Sequence, residues 1–370
     1  GEIDRELTRP APYDPRLCRA LLAPPPTPAP PPPPAPGRRV TPTGRLILSA
    51  DADRADWLTA RRSGIGSSDI AAILGISRYG NALSVFHDKT GGLPLESDDS
   101  EPALWGRAFE ETVAREWARR NRSVVRRVGL VAHVDRPWEM CTLDRRVLEC
   151  PLADGAEKCA VEIKCRDKMK ASQFRAGVAD DVLVQTLWQA IVCGFDHVHA
   201  AVLIGGNDYR QYVIRVRDHA QLVADLRAAG ERAWQQIIER RPPVLAHDAD
   251  PDVLLDLYGR LHPERAGVVD ITRDVETQEA VEEYLDAHQD VVAAEKRKKA
   301  AKARILAGLA GAEAATVLDR VHVSLDERTK RNTDLSRLAE RWPDAYADCV
   351  EDRTHYQLSI PRSVREEHAA

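Results

Sequence analysis

The stretch "KCAVEIKCRDKMKASQF", residues 158 to 174, decides how this chain is read. It opens as an apolar strand, yet it sets Glu162 and Lys164 two residues apart, so both side chains leave the strand on one face. Upstream, "MCTLDRRV" brings Asp144 at the end of another apolar run. If those two strands pair as neighbours, Asp144 and Glu162 converge at one end of a sheet. Two carboxylates at that range repel unless a cation lies between them. An all-oxygen site of this kind suits Mg²⁺ or Mn²⁺. The backbone carbonyl of Ile163 offers a further hard oxygen. Lys164 is placed to orient or deprotonate a water and to stabilise charge on a phosphate. Glu110 adds a third carboxylate from a helix and can help hold a second ion. Gln185, early in "VQTLWQAIVCG", can order water or a ligand. An E-x-K pair alone is not specific, since it also marks an ordinary solvated strand face.

Working outward, the surrounding pattern alternates helices and strands. "DWLTARR" (56–62) and "SSDIAAILG" (67–75) read as helices, the second with a serine N-cap and a stopping glycine. "EPALWGRAFEETVAREWARR" (101–120) is a long amphipathic helix. Strands are expected at 124–134, 139–147 and 158–164, helices at about 168–177 and 181–194, strands at 197–204 and 209–216, and a helix at 217–241. "VETQEAVEEYLDAHQDVVAAEKRKKAAKARILAGL" (275–309) reads as one long charged helix or two end to end. A strand ("ATVLDRVHVSL"), a helix ("DLSRLAERWPDAYADCV") and a last strand ("HYQLSI") follow.

The expected organisation is a proline-rich tail over 1–45, an α/β core over 46–244 and a C-terminal accessory region over 245–370. The tail contains "LAPPPTPAPPPPPAPG" (22–37), in which proline removes amides and fixes φ, leaving a polyproline II tether or a disordered tail. The chain has 370 residues, enough for a full core and a smaller appendage. No apolar run reaches the roughly 18 residues of a membrane helix. The polar, then proline-rich start does not read as a signal peptide, so the expected compartment is the cytoplasm. Seven cysteines, an odd number, fit reduced thiols better than a disulfide framework. A net charge of −5 argues against a uniformly basic DNA-coating protein but not against a nuclease, whose acidic site is neutralised by metal.

The ordered set "WLTARRSGIGSSDIAAILGIS", "ALWGRAFEETVARE", "CTLDRRV", "VEIKC" and "VQTLWQAIVCGFDHVHAAVLIGG" resembles the lambda-exonuclease and YqaJ viral recombinase family of PD-(D/E)XK nucleases. The pieces span about 57 to 206, and "RRSGIGSSDIAAILG" and "WGRAFE" are the specific ones. The resemblance implies a restriction-endonuclease-like α/β core, with a mixed central sheet flanked by helices. It implies a Mg²⁺- or Mn²⁺-dependent exonuclease, with two ions, acting 5'-to-3' on double-stranded DNA ends. The 3' overhangs would pass to a single-strand annealing protein, and relatives form a trimeric ring. By position, Asp144, Glu162 and Lys164 match the metal and catalytic residues, Glu110 the helical acid and Gln185 the glutamine of the following helix. Arg61 and Ser68 fall where the family grips the 5'-phosphate of its DNA. Backbone amides and the helix dipole at "GIGSSD" suit such an anion. The family usually has glycine after the first aspartate, where this chain has Arg145, a residue able to crowd the site or reach a phosphate.

Two other readings stay open: an internally cutting repair or restriction nuclease of the same fold, and a DNA-binding protein that has lost catalysis. Basic runs at 118–127 and 164–170 either follow a DNA backbone or are solvated charge. "HVH" (197–199) puts two histidines on one strand face, but the chain shows no third ligand nearby, which makes them structural. Cys150, Cys159, Cys165 and Cys193 lack the close C-x-x-C grouping of an iron–sulfur cluster, and none is expected.

Overall fold

A computed structural model of the chain describes residues 37–95, 100–150, 152, 159–244, 250–264, 266–330, 332–351 and 358–368. The proline-rich stretch before residue 37 and the first half of "HYQLSI" (355–357) lie outside the described residues, and residues 358–360 of that expected strand form none. The chain divides into two compact units, the first ending at residue 265 and the second running from Ala266 onward.

In the first unit the elements are β1 (Gly44–Ser49), α1 (Arg54–Arg61), α2 (Ser67–Ile73), α3 (Ala82–Lys89), α4 (Glu101–Asn121), β2 (Val125–Arg126), β3 (Gly129–His133), β4 (Met140–Leu143), β5 (Arg145–Val147), β6 (Cys159–Arg166), a 3₁₀ segment (Lys168–Phe174), α5 (Asp180–Cys193), β7 (His197–Ile204), β8 (Asp208–Arg215), α6 (Ala220–Ile238) and α7 (Pro251–Leu261). Five strands form a sheet in the order β2-β5-β6-β7-β8, and three form a second in the order β1-β3-β4. Only β6 and β7 pair in parallel; the other pairs in both sheets are antiparallel. Parallel neighbours need a crossover, and the 3₁₀ segment and α5 supply it.

The strands expected at 124–134 and 139–147 are each broken in two. The chain leaves the five-stranded sheet after Arg126, crosses to the three-stranded sheet and returns at Asp144. Gly129 enables the outward step: its φ is +105° and an added Cβ would lie 2.2 Å from the Leu48 carbonyl oxygen. The helix expected at 168–177 is a shorter 3₁₀ segment. Asp167 caps it at the Met169 amide, and Arg210 and Tyr212 donate to the Phe174 carbonyl at its end.

The five-stranded sheet is covered on both faces, with residues on each strand alternating between them. On one side, Ala160, Val198, Ala200 and Val202 pack with Val182, Leu187 and Trp188 of α5. On the other, Cys159, Val161, Ile163 and Ala201 pack with Val113, Ala114 and Trp117 of α4. Trp188 ties the layers together by donating its indole N–H to the Met140 carbonyl at 3.0 Å.

The second unit holds α8 (Val275–Leu309), the hairpin β9 (Ala314–Val317) and β10 (Arg320–Ser324), α9 (Leu335–Arg341), α10 (Pro343–Cys349) and α11 (Arg362–His368). The long charged segment is one continuous helix, with only Leu285 and Leu309 buried among its residues. The strand expected at 315–325 is a hairpin, because Leu318 and Asp319 both take positive φ, the geometry of a tight two-residue turn. The helix expected at 334–350 breaks at Trp342, since Pro343 disfavours helical geometry in the residue before it.

Candidate active site

Strand β6 delivers Glu162 and Lys164 to the face covered by α5. Glu162 is 1% exposed and surrounded by donors. Lys164 Nζ lies 2.5 Å from its Oε1, Gln185 Nε2 donates to the same oxygen at 2.6 Å, and Gln189 Nε2 donates to Oε2 at 2.6 Å. Gln185 and Gln189 stand four apart on α5, hence one above the other on a single helix face. Gln189 escaped the sequence reading, although its i+4 relation to Gln185 is the signal that points to it.

Asp144 enters from the turn between β4 and β5 and accepts the Ile163 amide at 2.7 Å through Oδ2. The pairing of β5 with β6 reaches Arg145 opposite Val161 and stops, so Ile163 lies just beyond it. A residue's amide and carbonyl emerge on the same edge of a strand, which directs the Ile163 carbonyl to the Asp144 side as well. The structure thus brings Asp144, Glu162, Lys164, Ile163 and Gln185 together at the sheet end.

The electrostatics fit a cation. Burial, and then the charge of Glu162, push the Asp144 carboxyl well above its ordinary range, while Lys164 offsets only part of this. For Lys164, burial acts against the ammonium, but the charges of Glu162 and Asp144 outweigh it and the group is held up, as a cation. A carboxylate has about four acceptor positions. Glu162 uses three on nitrogen donors, and Asp144 engages the Ile163 amide through one oxygen. Oxygen donors in this acidic pair match a hard divalent ion.

Glu110 is placed differently. Arg145, 4% exposed, bridges α4 with Nη1 2.6 Å from Glu110 Oε1 and Nη2 2.6 Å from Glu111 Oε2. Arg145 also donates to the Asp144 carbonyl. Directly opposite Val161, it belongs to the α4 face, so it neither crowds Glu162 nor stands as a solvent-facing phosphate ligand. It holds the helical acids instead.

Arg61 and Ser68 meet on the surface of α1 and α2, Arg61 Nη2 donating to Ser68 Oγ at 3.0 Å and lying 3.1 Å from Asp69 Oδ1. Beneath them Lys89, with a fully buried side chain, pairs with Asp69 Oδ2 at 2.7 Å and donates to the Arg61 carbonyl at 3.0 Å. Burial raises the Asp69 carboxyl, yet Lys89 and Arg61 more than reverse this and hold it below its usual value. Asp69 also accepts the Gly66 amide at 2.7 Å, so that amide of the "GIGSSD" loop is taken by the protein.

A cleft of about 400 Å³ opens beyond the end of β6, lined by Arg166, Lys170, Arg78, Gln173 and the exposed Tyr79. Arg166 continues the Glu162–Lys164 face and pairs with Asp181 at 2.7 Å. In the basic run at 118–127, Arg119 and Arg120 both bind Glu116, and Arg127 binds Asp51.

Residues 56–196 match the family model of the YqaJ-like viral recombinase domain. The chain is 24% identical over 318 residues to YqaJ of Bacillus subtilis (strain 168), an uncharacterized protein, covering 84% of this chain and 95% of that one. Among solved structures, it is similar to an alkaline exonuclease (LHK-Exo) from Laribacter hongkongensis, with 14% identity, a TM-score of 0.41, and coverage of 50% of this chain and 93% of the other. The same enzyme in complex with dAMP gives 15% identity and a TM-score of 0.42 at the same coverage. No described helix is long and apolar enough to cross a membrane.

Proposed function

We propose that this YqaJ-like chain is a divalent-cation-dependent exodeoxyribonuclease that resects one strand of duplex DNA from its 5' end. The observation that carries the reading is the convergence of Asp144, Glu162 and Lys164 on one sheet end, with both Glu162 oxygens aimed by glutamines of α5. In this reading Asp144, Glu162 and the Ile163 carbonyl hold Mg²⁺ or Mn²⁺, and Glu110 helps with a second ion once Arg145 releases it. When bound, such ions activate water and neutralise charge on the attacking and leaving oxygens of a phosphodiester.

The chain's own residues supply the remaining chemistry. Lys164, held as a cation beside Glu162, orients the water and offsets charge on the phosphate. Gln185 and Gln189 fix Glu162, so the acid pays little reorganisation on reaction. Arg61, with Ser68 beside it, meets the terminal 5'-phosphate, and Arg61 is itself aimed by Asp69, which Lys89 buttresses. The 3' overhang left behind is the substrate of a single-strand annealing protein, and a ring-shaped trimer enclosing DNA follows from the resemblance.

The test is release of nucleotides from linear duplex DNA bearing a 5'-phosphate or a 5'-hydroxyl, with a closed circle as control. We expect Mg²⁺-dependent release from the linear substrate, an intact circle, no release by Glu162→Ala, and loss of the 5'-phosphate preference in Arg61→Ala. A cut circle would establish the internally cutting alternative. Binding of DNA without release in Mg²⁺ or Mn²⁺ would end the exonuclease reading.

A further inference from the structure

On the other face of the same strands, Cys150, Cys159, His197 and His199 come together although they are scattered along the chain. Cys159 opens β6 and His197 opens β7. The parallel register places Val161 beside His199, which brings Cys159, two residues earlier, level with His197. All four side chains fall on the face covered by α4, opposite Glu162 and Lys164. Cys150 arrives from just past the end of β5. The C-x8-C and H-x-H spacings name no known motif, because it is the register rather than the local chain that assembles the group.

We propose that these four residues form a structural zinc site beneath helix α4. Their ligand atoms all lie within 4.8 Å of one another. Cys150 Sγ is 3.2 Å from His197 Nε2 and 3.3 Å from His199 Nε2. A tetrahedral zinc with bonds of about 2.3 Å to sulfur and about 2.0 Å to nitrogen sets neighbouring S and N atoms roughly 3.5 Å apart. The two imidazoles stand at 84° to each other with ring centres 5.0 Å apart, each presenting Nε2 to the same sulfur.

Cys159, His197 and His199 are buried and Cys150 is half-buried. Trp117 of α4 packs against His199 at 4.9 Å between ring centres, and Val113, Val147 and Val161 complete an apolar surround. Thiols are poor hydrogen-bond partners for buried imidazole nitrogens, whereas a soft ion satisfies both kinds of donor atom. Two thiolates and two imidazoles select zinc over Mg²⁺ or Ca²⁺. Four protein ligands leave no open position, so the ion is structural and takes no part in hydrolysis. It would bind the β5–β6 connection to β7 and fix the floor on which α4, the helix of Glu110, rests.

Full-length protein, made with zinc in the medium and desalted into metal-scrubbed Mg²⁺ buffer, is analysed by inductively coupled plasma mass spectrometry. We expect about one zinc per chain, falling below roughly a fifth of that in Cys159→Ser and His199→Ala and unchanged in Cys349→Ser, an exposed thiol of the second unit. Should the two ligand variants fail to fold, wild-type protein loaded with Co²⁺ decides alone. A thiolate-to-cobalt charge-transfer band with intense tetrahedral ligand-field bands supports the site. Wild type without stoichiometric zinc and without those bands, zinc retained in folded ligand variants, iron in place of zinc, or a Cys150–Cys159 disulfide in alkylated peptides would each overturn it.

Discussion

Toward α5, strand β6 turns Glu162 and Lys164; toward α4, the same strand turns Cys159, Val161 and Ile163. The first face gathers oxygen acceptors and a cation around charge that burial makes costly. The second gathers sulfur and imidazole within an apolar layer. The two are separated by little more than the thickness of one strand, yet they suit different ions, because hard oxygen sets and soft thiolate sets discriminate between metals more sharply than distance does. Under the two proposals above, period-two alternation lets a single strand serve hydrolysis on one side and scaffolding on the other. The comparison is broken if either face responds to a change made on the other.

The largest effect follows from chelation. Brief EDTA treatment is expected to abolish nucleotide release entirely, and Mg²⁺ alone is expected to restore it, since an oxygen site exchanges its ion freely while a buried thiolate site retains zinc. Metal analysis before and after checks this. Recovery that required added zinc would show the faces to be coupled. Next in size is Lys164→Ala, expected to slow cleavage by about 10²–10⁴-fold, as for loss of a group that handles a proton or water in the transition state. Zinc content should stay at the wild-type level, because the side chain leaves β6 on the opposite face.

Arg145 sharpens the comparison, since it stands one residue after Asp144 yet serves the α4 face. Its bonds to Glu110 and Glu111 draw the helical acids to that side. Arg145→Gly is expected to lower stability by about 1.5–3 kcal/mol, the range for hydrogen bonds to charged groups, with the half-exposed Glu111 contributing least. The same change releases Glu110, so cleavage should reach half its maximum at lower Mg²⁺. Urea denaturation and a Mg²⁺ titration measure the two. An unchanged Mg²⁺ requirement would remove Glu110 from the ion-binding group.

What could be read along the chain was local. The apolar run and E-x-K spacing of β6, the amphipathic α4 and the glutamine at the start of α5 are patterns within one element, and each stands where expected. Three things depended on partners distant in sequence. The switch between sheets at Asp144 split two expected strands, which no periodicity marks. The role of Arg145 depended on acids 34 and 35 residues away in α4. The histidines of "HVH" lacked a third ligand only so long as β7 was viewed alone; parallel register with β6 brings Cys159 alongside.

Gln189 gives the finest probe of the acid face. It is 1% exposed, and its Nε2 divides between Glu162 Oε2 at 2.6 Å and the Thr142 carbonyl at 3.2 Å. Its Oε1 is buried and has no hydrogen-bond partner among the described residues, so this side chain is held by its donor alone. Gln189→Ala removes that donor and lets the Glu162 carboxylate rotate about the hold that Gln185 and Lys164 still keep on Oε1. The expected loss in kcat at saturating Mg²⁺ is about tenfold, or roughly 1.4 kcal/mol, well short of the Lys164 variant. Gln185→Ala should cost less, because Lys164 shares its oxygen. A ranking in which Gln185 matters more than Gln189 would mean that Oε1, not Oε2, is the oxygen whose direction sets the rate, and that the buried half of the pair only packs.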